Sequence, residues 1–364
     1  MRLRVLKLLL PAISVIAFQA DVFAELNMPP VLGNHMVLQR DMPVPVWGTA
    51  TPNEKVSVEF AGQKKEASAD AQGKWMLRLD PMPASAEPRN MVVTAVSGKK
   101  ELSDVLVGDV WVGSGQSNMQ MGANSYFAND AVLAKNAESG PYPQLRVISP
   151  GKSWMESTPA NLKGFSALLF SFGFPLQKEI NIPVGLMVGA VGGTPSGFWL
   201  SQEAFDSDQA CKDAIEKYAK NYSYDDAVKK YEAALEKWKK DVEELKKKGE
   251  TKLPREPQKA MKPGECRGKV GNLYEKNIQP YLPYAIKGVL WDQGESGTAI
   301  EGVDQYTLMG ALIRGWRKEW GQDFPFIYVQ KPSGMGCALD AADPVTCKGE
   351  NFEKLPPAVP ADGQ

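Results

Sequence analysis

Gly113-Ser114-Gly115-Gln116-Ser117-Asn118-Met119 follows an apolar run from Val105 to Val112 that is broken by Gly108 and Asp109. The run predicts a short buried strand, the small residues after it a tight turn, and a helix starting soon afterwards. A serine set between a strand end and a helix start has its hydroxyl lifted clear of the sheet. Its backbone N–H lies where a helix N-terminus favours negative charge. Acyl transfer needs that combination: an exposed oxygen nucleophile beside donors for a developing oxyanion. A Gly/Ser/Asn turn with no chemistry has the same composition, so the turn alone leaves both readings open.

Downstream of the turn the pattern repeats. After a loop-rich region to about Pro159, Phe165 to Phe174 predicts a buried helix that continues through Pro175 toward Glu179. Val184 to Val191 predicts a second buried strand, ending in Gly192-Gly193-Thr194-Pro195. Glycines at a strand end also serve a tight turn that needs positive φ. Ile286 to Trp291 predicts a third strand, closed by the polar turn Asp292-Gln293-Gly294-Glu295-Ser296. Tyr306 to Trp320 places Leu308, Ala311, Leu312 and Trp316 on one helical face, and Phe324 to Gln330 predicts a further strand. Strands alternating with helices predict an α/β fold of three layers, with a mostly parallel sheet and helices on both faces. Active-site groups in such sheets gather at the strand C-termini.

Upstream, Leu26 to about Lys100 is different in kind. Val44-Pro45-Val46-Trp47-Gly48, Val56 to Phe60 and Met91 to Val96 alternate apolar and polar residues and are separated by turns such as Ala71-Gln72-Gly73. These predict a small antiparallel β-sandwich or jelly-roll-like domain. Pro43 and Pro45 suit an edge strand, because proline cannot donate to a central ladder. Between the second and third blocks, Ser201 to about Lys262 is rich in Ala, Lys and Glu, with Tyr218, Tyr222, Tyr231, Leu235, Trp238, Val242 and Leu245 spaced three and four apart. That spacing predicts a helical hairpin or one long amphipathic helix, with a solvated charged face, shaping one wall of the cleft. The expected organisation is therefore a leader over 1–24, a β domain over 25–100 and an α/β domain over 101–364 that carries a helical insertion at 201–265.

The 364 residues are 43% hydrophobic with a net charge of −1. That is enough for a large core, and no basic surplus argues for nucleic acid. Arg2, Arg4 and Lys7 precede a mostly apolar Leu8–Ala20, and Val22-Phe23-Ala24 offers a cleavage site. This is the pattern of a secretory signal, predicting a secreted or periplasmic protein, with an N-terminal anchor as the alternative. No other run is long enough to span a bilayer. Export would permit disulfides, and Cys211–Cys266 with Cys337–Cys347 is the expected pairing; free thiols are the alternative. The cysteines form no C-x-x-C or Cys/His cluster, so no zinc site is expected.

Val110 to Met119 closely resembles the nucleophile block of the sialate O-acetylesterase family, carbohydrate esterases of the SGNH, or GDSL-like, hydrolase superfamily. His35 to Gly48 resembles the opening of these proteins. The Gly192-Gly193-Thr194-Pro195 segment resembles their second block, and Ile286 to Ser296 their third. The resemblance implies Ser117 as nucleophile and the Gly193 N–H, preferred over Gly192, as an oxyanion donor. It implies Gln293 as a third donor, with Gln116, Asn118 and Glu295 near the substrate. A surface role for Glu295 remains equally open. The implied reaction removes acetyl groups from sialic acid or related glycans, with no metal or organic cofactor. Asp292 and Gly297 depart from the family, which usually has an aromatic residue and an Asn or Asp at those places. The family's base lies in an Asp-x-x-His segment beyond the last strand, and no such segment occurs here; His35 is the single histidine. Three accounts are open: a fragment of an ordinary esterase, a glycan-binding module that kept the fold, or a substitute base from His35, Glu295 or Asp292.

Overall fold

The computed structural model of the protein describes residues 25–329, so the leader, Cys337 and Cys347 lie outside the described residues. The N-terminal half contains β1 (Val37–Gln39), β2 (Val44–Thr49), β3 (Lys55–Phe60), β4 (Gln63–Ser68), β5 (Lys74–Leu79) and β6 (Ser85–Ala95). β2 and β5 form one antiparallel pair; β4, β3 and β6 form an antiparallel ladder that continues onto β7 (Gly98–Gly115). Strict alternation turns Val56, Val58 and Phe60 of β3 and Trp75, Leu77 and Leu79 of β5 into one core. This is the small antiparallel domain expected from the sequence.

Both halves are built on β7, whose 18 residues pass from one sheet into the other. It pairs antiparallel with β6, then parallel with β1 at Leu106–Gly108, and from Asp109 it enters the second sheet. A boundary at residue 100 thus falls inside a continuous strand. The His35–Gly48 segment is fastened along this strand. His35 Nδ1 lies 2.6 Å from an Asp104 carboxylate oxygen, Arg40 donates to both oxygens of buried Asp109 at 2.8 and 3.1 Å, and Val110 N–H donates to Gln39 Oε1 at 2.8 Å.

The second sheet runs in the order β9 (Met155–Ser157), β8 (Tyr142–Ile148), β10 (Val184–Ala190), β7, β11 (Gly288–Asp292), β12 (Phe326–Tyr328), parallel except for β9. Its helices are α1 (Ser117–Gln120), α2 (Ala131–Glu138), α3 (Pro159–Gly164), α4 (Ala167–Ile180), α5 (Gln202–Ser207), α6 (Gln209–Ala219), α7 (Tyr224–Lys247), α8 (Asn272–Asn277) and α9 (Gln305–Trp320). Trp111, Leu186 and Val188 face Leu169, Phe170 and Phe174 of α4. Their neighbours Val112, Met187, Val289 and Trp291 face Leu308, Leu312 and Trp316 of α9 on the other side. Three layers follow from strands that are apolar on both faces.

Local chemistry sets the ends of α4: Ser166 Oγ caps it by accepting from the Leu169 N–H, and Asn181 closes it in the left-handed region at φ 49°. Two strands and a helix, β8, β9 and α2, lie in the region to about Pro159 expected to be loop-rich, and α3 follows it. β8 was hidden because Pro143, Gln144 and Arg146 interrupt its apolar residues. Arg146 is nonetheless 2% exposed, held by Asp104 at 2.7 Å and Glu156 at 3.2 Å.

α6 and α7 occupy the stretch expected to be a helical hairpin or one long amphipathic helix; α6 packs on α9, and α7 buries only Val242. No helix among the described residues is long and apolar enough to cross a membrane. The expected Cys211–Cys266 bridge is not formed; both are free thiols. Cys211 sits in the first turn of α6, where burial pushes its thiol up to about 12, and Cys266 pairs by backbone with Ile300. The insertion is instead anchored by hydrogen bonds. Tyr218 Oη donates to Glu301 at 2.5 Å, Tyr222 Oη to the Met261 carbonyl at 2.7 Å, and the Gly264 and Arg267 N–H groups to the Glu301 and Ala299 carbonyls at 2.8 Å each.

Candidate active site

The sheet register brings the three sequence blocks together. Gly115 stands opposite Ala190 on one side and Asp292 on the other, so three strands end at one level. Val191 N–H donates to the Gly115 carbonyl at 3.1 Å and Gln116 N–H to the Asp292 carbonyl at 2.8 Å. Gly115 makes this closeness possible. At φ +128° it adopts a conformation that side chains rarely take, and a Cβ there would lie 2.0 Å from the Asp292 carbonyl oxygen. The chain then turns directly into α1, which begins at Ser117.

Ser117 is half-buried, and its hydroxyl has no hydrogen-bond partner among the described residues. As the first residue of a helix its N–H also lacks an intrahelical acceptor. Gly192 packs against it: a Cβ on Gly192 would sit 3.5 Å from both Cα and Cβ of Ser117. The Gly192 N–H is taken by Gln120 Oε1 at 2.7 Å. Gly193, exposed at φ +71°, keeps an N–H without an acceptor among the described residues. Of the two glycines, then, Gly193 has the backbone donor still available.

The polar candidates divide by what they touch. Gln116 is buried and bridges the first and third blocks: it donates to Glu295 and accepts from Ser296 Oγ at 2.9 Å. Asn118 is exposed and donates to buried Asp292 at 3.3 Å. Gln293 is 4% exposed, and its side-chain N–H groups face the carbonyls of Thr194 and Gly297, each at 3.2 Å. An amide nitrogen committed to two loop carbonyls is not the free oxyanion donor that the resemblance implied. Gln293 instead braces the second block against the third.

Three participants carried no signal in the sequence: Gln120, Ser196 and Gln305. Gln305 donates from Nε2 to Gln293 Oε1 at 3.0 Å and accepts from Ser196 Oγ at 2.9 Å. Only Gln120, three residues after Ser117 and hence on the same helical face, could have been found by spacing.

His35 does not reach this site. It is held at Asp104, and from Asp104 to Gly115 the strand, at ~3.3 Å per residue, covers roughly 36 Å. Asp292 and Glu295 are the acidic groups brought nearest Ser117 by the third block, through Asn118 and Gln116.

Fold and site together define an α/β protein of the SGNH-hydrolase-like class, with its polar residues clustered at the C-terminal ends of parallel strands. No family model matches the chain. It is 30% identical over 345 residues to the sialate O-acetylesterase of Mus musculus, covering 84% of this chain and 60% of that protein. To the human sialate O-acetylesterase it is 28% identical over 343 residues, covering 84% and 57%. Among solved structures it is similar to a carbohydrate acetylesterase from Xanthomonas citri, with a TM-score of 0.60 and 27% identity over 84% of this chain and 60% of the other. Its similarity to sialate O-acetylesterases extends over 84% of the chain. The chain spans about 60% of the length of the curated relatives it matches.

Proposed function

We propose that the protein hydrolyses acetyl esters of carbohydrates, O-acetylated sialic acid or a related glycan, through Ser117. The observation that carries this reading is the convergence of Ser117, Gly192 and Gly193 at one level of the sheet, with the Ser117 hydroxyl and the Gly193 N–H both unengaged. Ser117 Oγ attacks the acetyl carbonyl, and its proton passes to a base. The carbonyl oxygen, now negative, is met by the N–H groups of Ser117 and Gly193. Collapse expels the sugar oxygen, which takes a proton, and leaves an acetyl-serine. Water then attacks that ester, releases acetate and restores the hydroxyl. Asn118, exposed beside the nucleophile, is placed to contact the sugar.

The base is the open element. The single imidazole of the sequence is pinned to Asp104 at the far end of β7. With His35 unavailable at the site, a second reading is a secreted glycan-binding module with the esterase fold. Loss of the base from a serine triad lowers kcat by on the order of a million-fold, leaving about a thousand-fold over water. Hydrolysis of 4-nitrophenyl acetate and of an acetylated glycan by the 364-residue chain tests the two. Turnover abolished by Ser117→Ala supports the esterase. Glycan binding without turnover, unchanged by Ser117→Ala, supports the module.

A further inference from the structure

We propose that Gln305 is a positioning residue for the loop carrying Gly193. It would act through Gln293, and the inference rests on the reading of Ser117 and Gly193 given above. Gln293, at the end of β11, is almost fully buried, and its Nε2 faces the carbonyls of Thr194 and Gly297. A glutamine amide can sit in either of two orientations that differ only by exchange of its oxygen and nitrogen. The wrong one here would set an oxygen against two carbonyl oxygens. Gln305, the first residue of α9, removes that ambiguity, because its Nε2 donates to Gln293 Oε1 at 3.0 Å. Gln305 is itself oriented from the other side, where its Oε1 accepts from Ser196 Oγ at 2.9 Å.

The hydrogen bonds thus run one way, from Ser196 to Gln305 to Gln293 to Thr194. Both ends lie on the same connection between β10 and α5, so the chain closes on the segment that contains Gly193. Backbone bonds tie that segment to the third block at the same place: Ser196 N–H to the Gly297 carbonyl at 2.9 Å and Gly197 N–H to the Thr298 carbonyl at 3.0 Å. Gly193, at φ +71°, has no side chain to hold it and no atom within 4 Å of its Cβ position. Its N–H direction is therefore set by its neighbours, and Thr194, the next residue, is fixed by Gln293. A donor displaced by about 1 Å loses on the order of a hundred-fold in rate.

Gln305→Glu keeps the size and removes the donor, setting a carboxylate oxygen against Gln293 Oε1. With 4-nitrophenyl acetate, kcat falls by about ten- to a hundred-fold relative to the parent chain. KM stays within about twofold, as expected for a contact made in the transition state. Protonating the new glutamate restores a donor, so the ratio of variant to parent activity rises as pH falls toward about 4. Hydrogen–deuterium exchange of peptides covering 191–197 supplies a readout that needs no turnover: exchange there is faster in Gln305→Glu and unchanged in β3 and β6. If 191–197 exchanges identically in parent and variant, the inference is overturned, whether or not the chain is active. If exchange rises but the parent shows no Ser117-dependent hydrolysis, the positioning stands and the esterase reading fails.

Discussion

Gly115 concentrates the demands of the site in one residue. A Cβ at that position would lie 2.0 Å from the Asp292 oxygen and 2.6 Å from its carbon, both backbone atoms that cannot swing aside. Gly115→Ala is expected to lower stability by about 3 kcal/mol or more, by strain at positive φ and separation of β7 from β11. Urea unfolding measures it; an unchanged midpoint would contradict the packing of the strand ends. Glu319 of α9 supplies a second expectation at this scale. It accepts hydrogen bonds from Tyr274 Oη and Ser201 Oγ, yet burial holds its carboxyl above the usual carboxylate range. A carboxyl with a raised folded-state pKa binds its proton more tightly folded than unfolded. Stability is then highest below the unfolded value, near 4, and falls as pH rises through the folded value. Glu319→Gln removes that loss. The Tm of the parent should drop relative to the variant as pH goes from about 4 to 7, and parallel Tm curves would refute the assignment.

Among the elements, β8 shows how a buried charged residue can sit in a strand near the sheet edge. Arg146 enters the sheet region with Asp104 from β7 and Glu156 from β9 around its guanidinium, and its Nε donates to the Pro143 carbonyl at 3.0 Å. It joins the strand that leaves the N-terminal domain to the far edge of the second sheet. Arg146→Met should destabilise the chain by roughly 1–3 kcal/mol, because the charge-assisted hydrogen bonds of the buried guanidinium are lost while Asp104 and Glu156, both part-exposed, can turn to solvent. Chemical denaturation checks this, and a change below about 1 kcal/mol would show the cluster to be solvated. The helical insertion is the opposite case. α7 contributes Val242 to the buried set and otherwise carries solvent-screened ion pairs such as Lys247–Glu243 and Lys239–Glu236, which add little to stability.

At the scale of the whole molecule, that contrast predicts which parts are separable. Replacing 221–262 with a flexible linker should leave the two sheets folded, with Tm shifted by only a few degrees, roughly the effect of 1 kcal/mol in a domain this large. Far-UV circular dichroism should show the matching loss of helix. Collapse of the fold would show that the insertion supports the core. The central strands β7, β10 and β11, by contrast, are joined over their whole length, and no short deletion there spares the site.

Much of this architecture was legible in the order of residues. Val105–Val112, Val184–Val191 and Ile286–Trp291 are apolar on both faces, and only a doubly covered parallel sheet buries such strands. The helices α4 and α9 were readable from their periodicity. The serine turn was readable because glycine is needed where a strand end crowds its neighbour. Other features depended on contacts between residues far apart in the chain. β8 could be seen only once Asp104 and Glu156 met Arg146. Gln293 became a brace, not a free donor, because Thr194 and Gly297 arrive on either side of it. Cys211 and Cys266 are thiols because the fold places one in the first turn of α6 and the other in a bridge to Ile300, and sequence spacing does not fix their separation. Sequence by itself determined which segments are strands and which residues are capable of chemistry, since burial periodicity and backbone freedom are local properties. Tertiary structure alone decided which hydrogen-bonding groups remain unengaged at Ser117, because a donor's availability depends on the acceptors that folding brings to it.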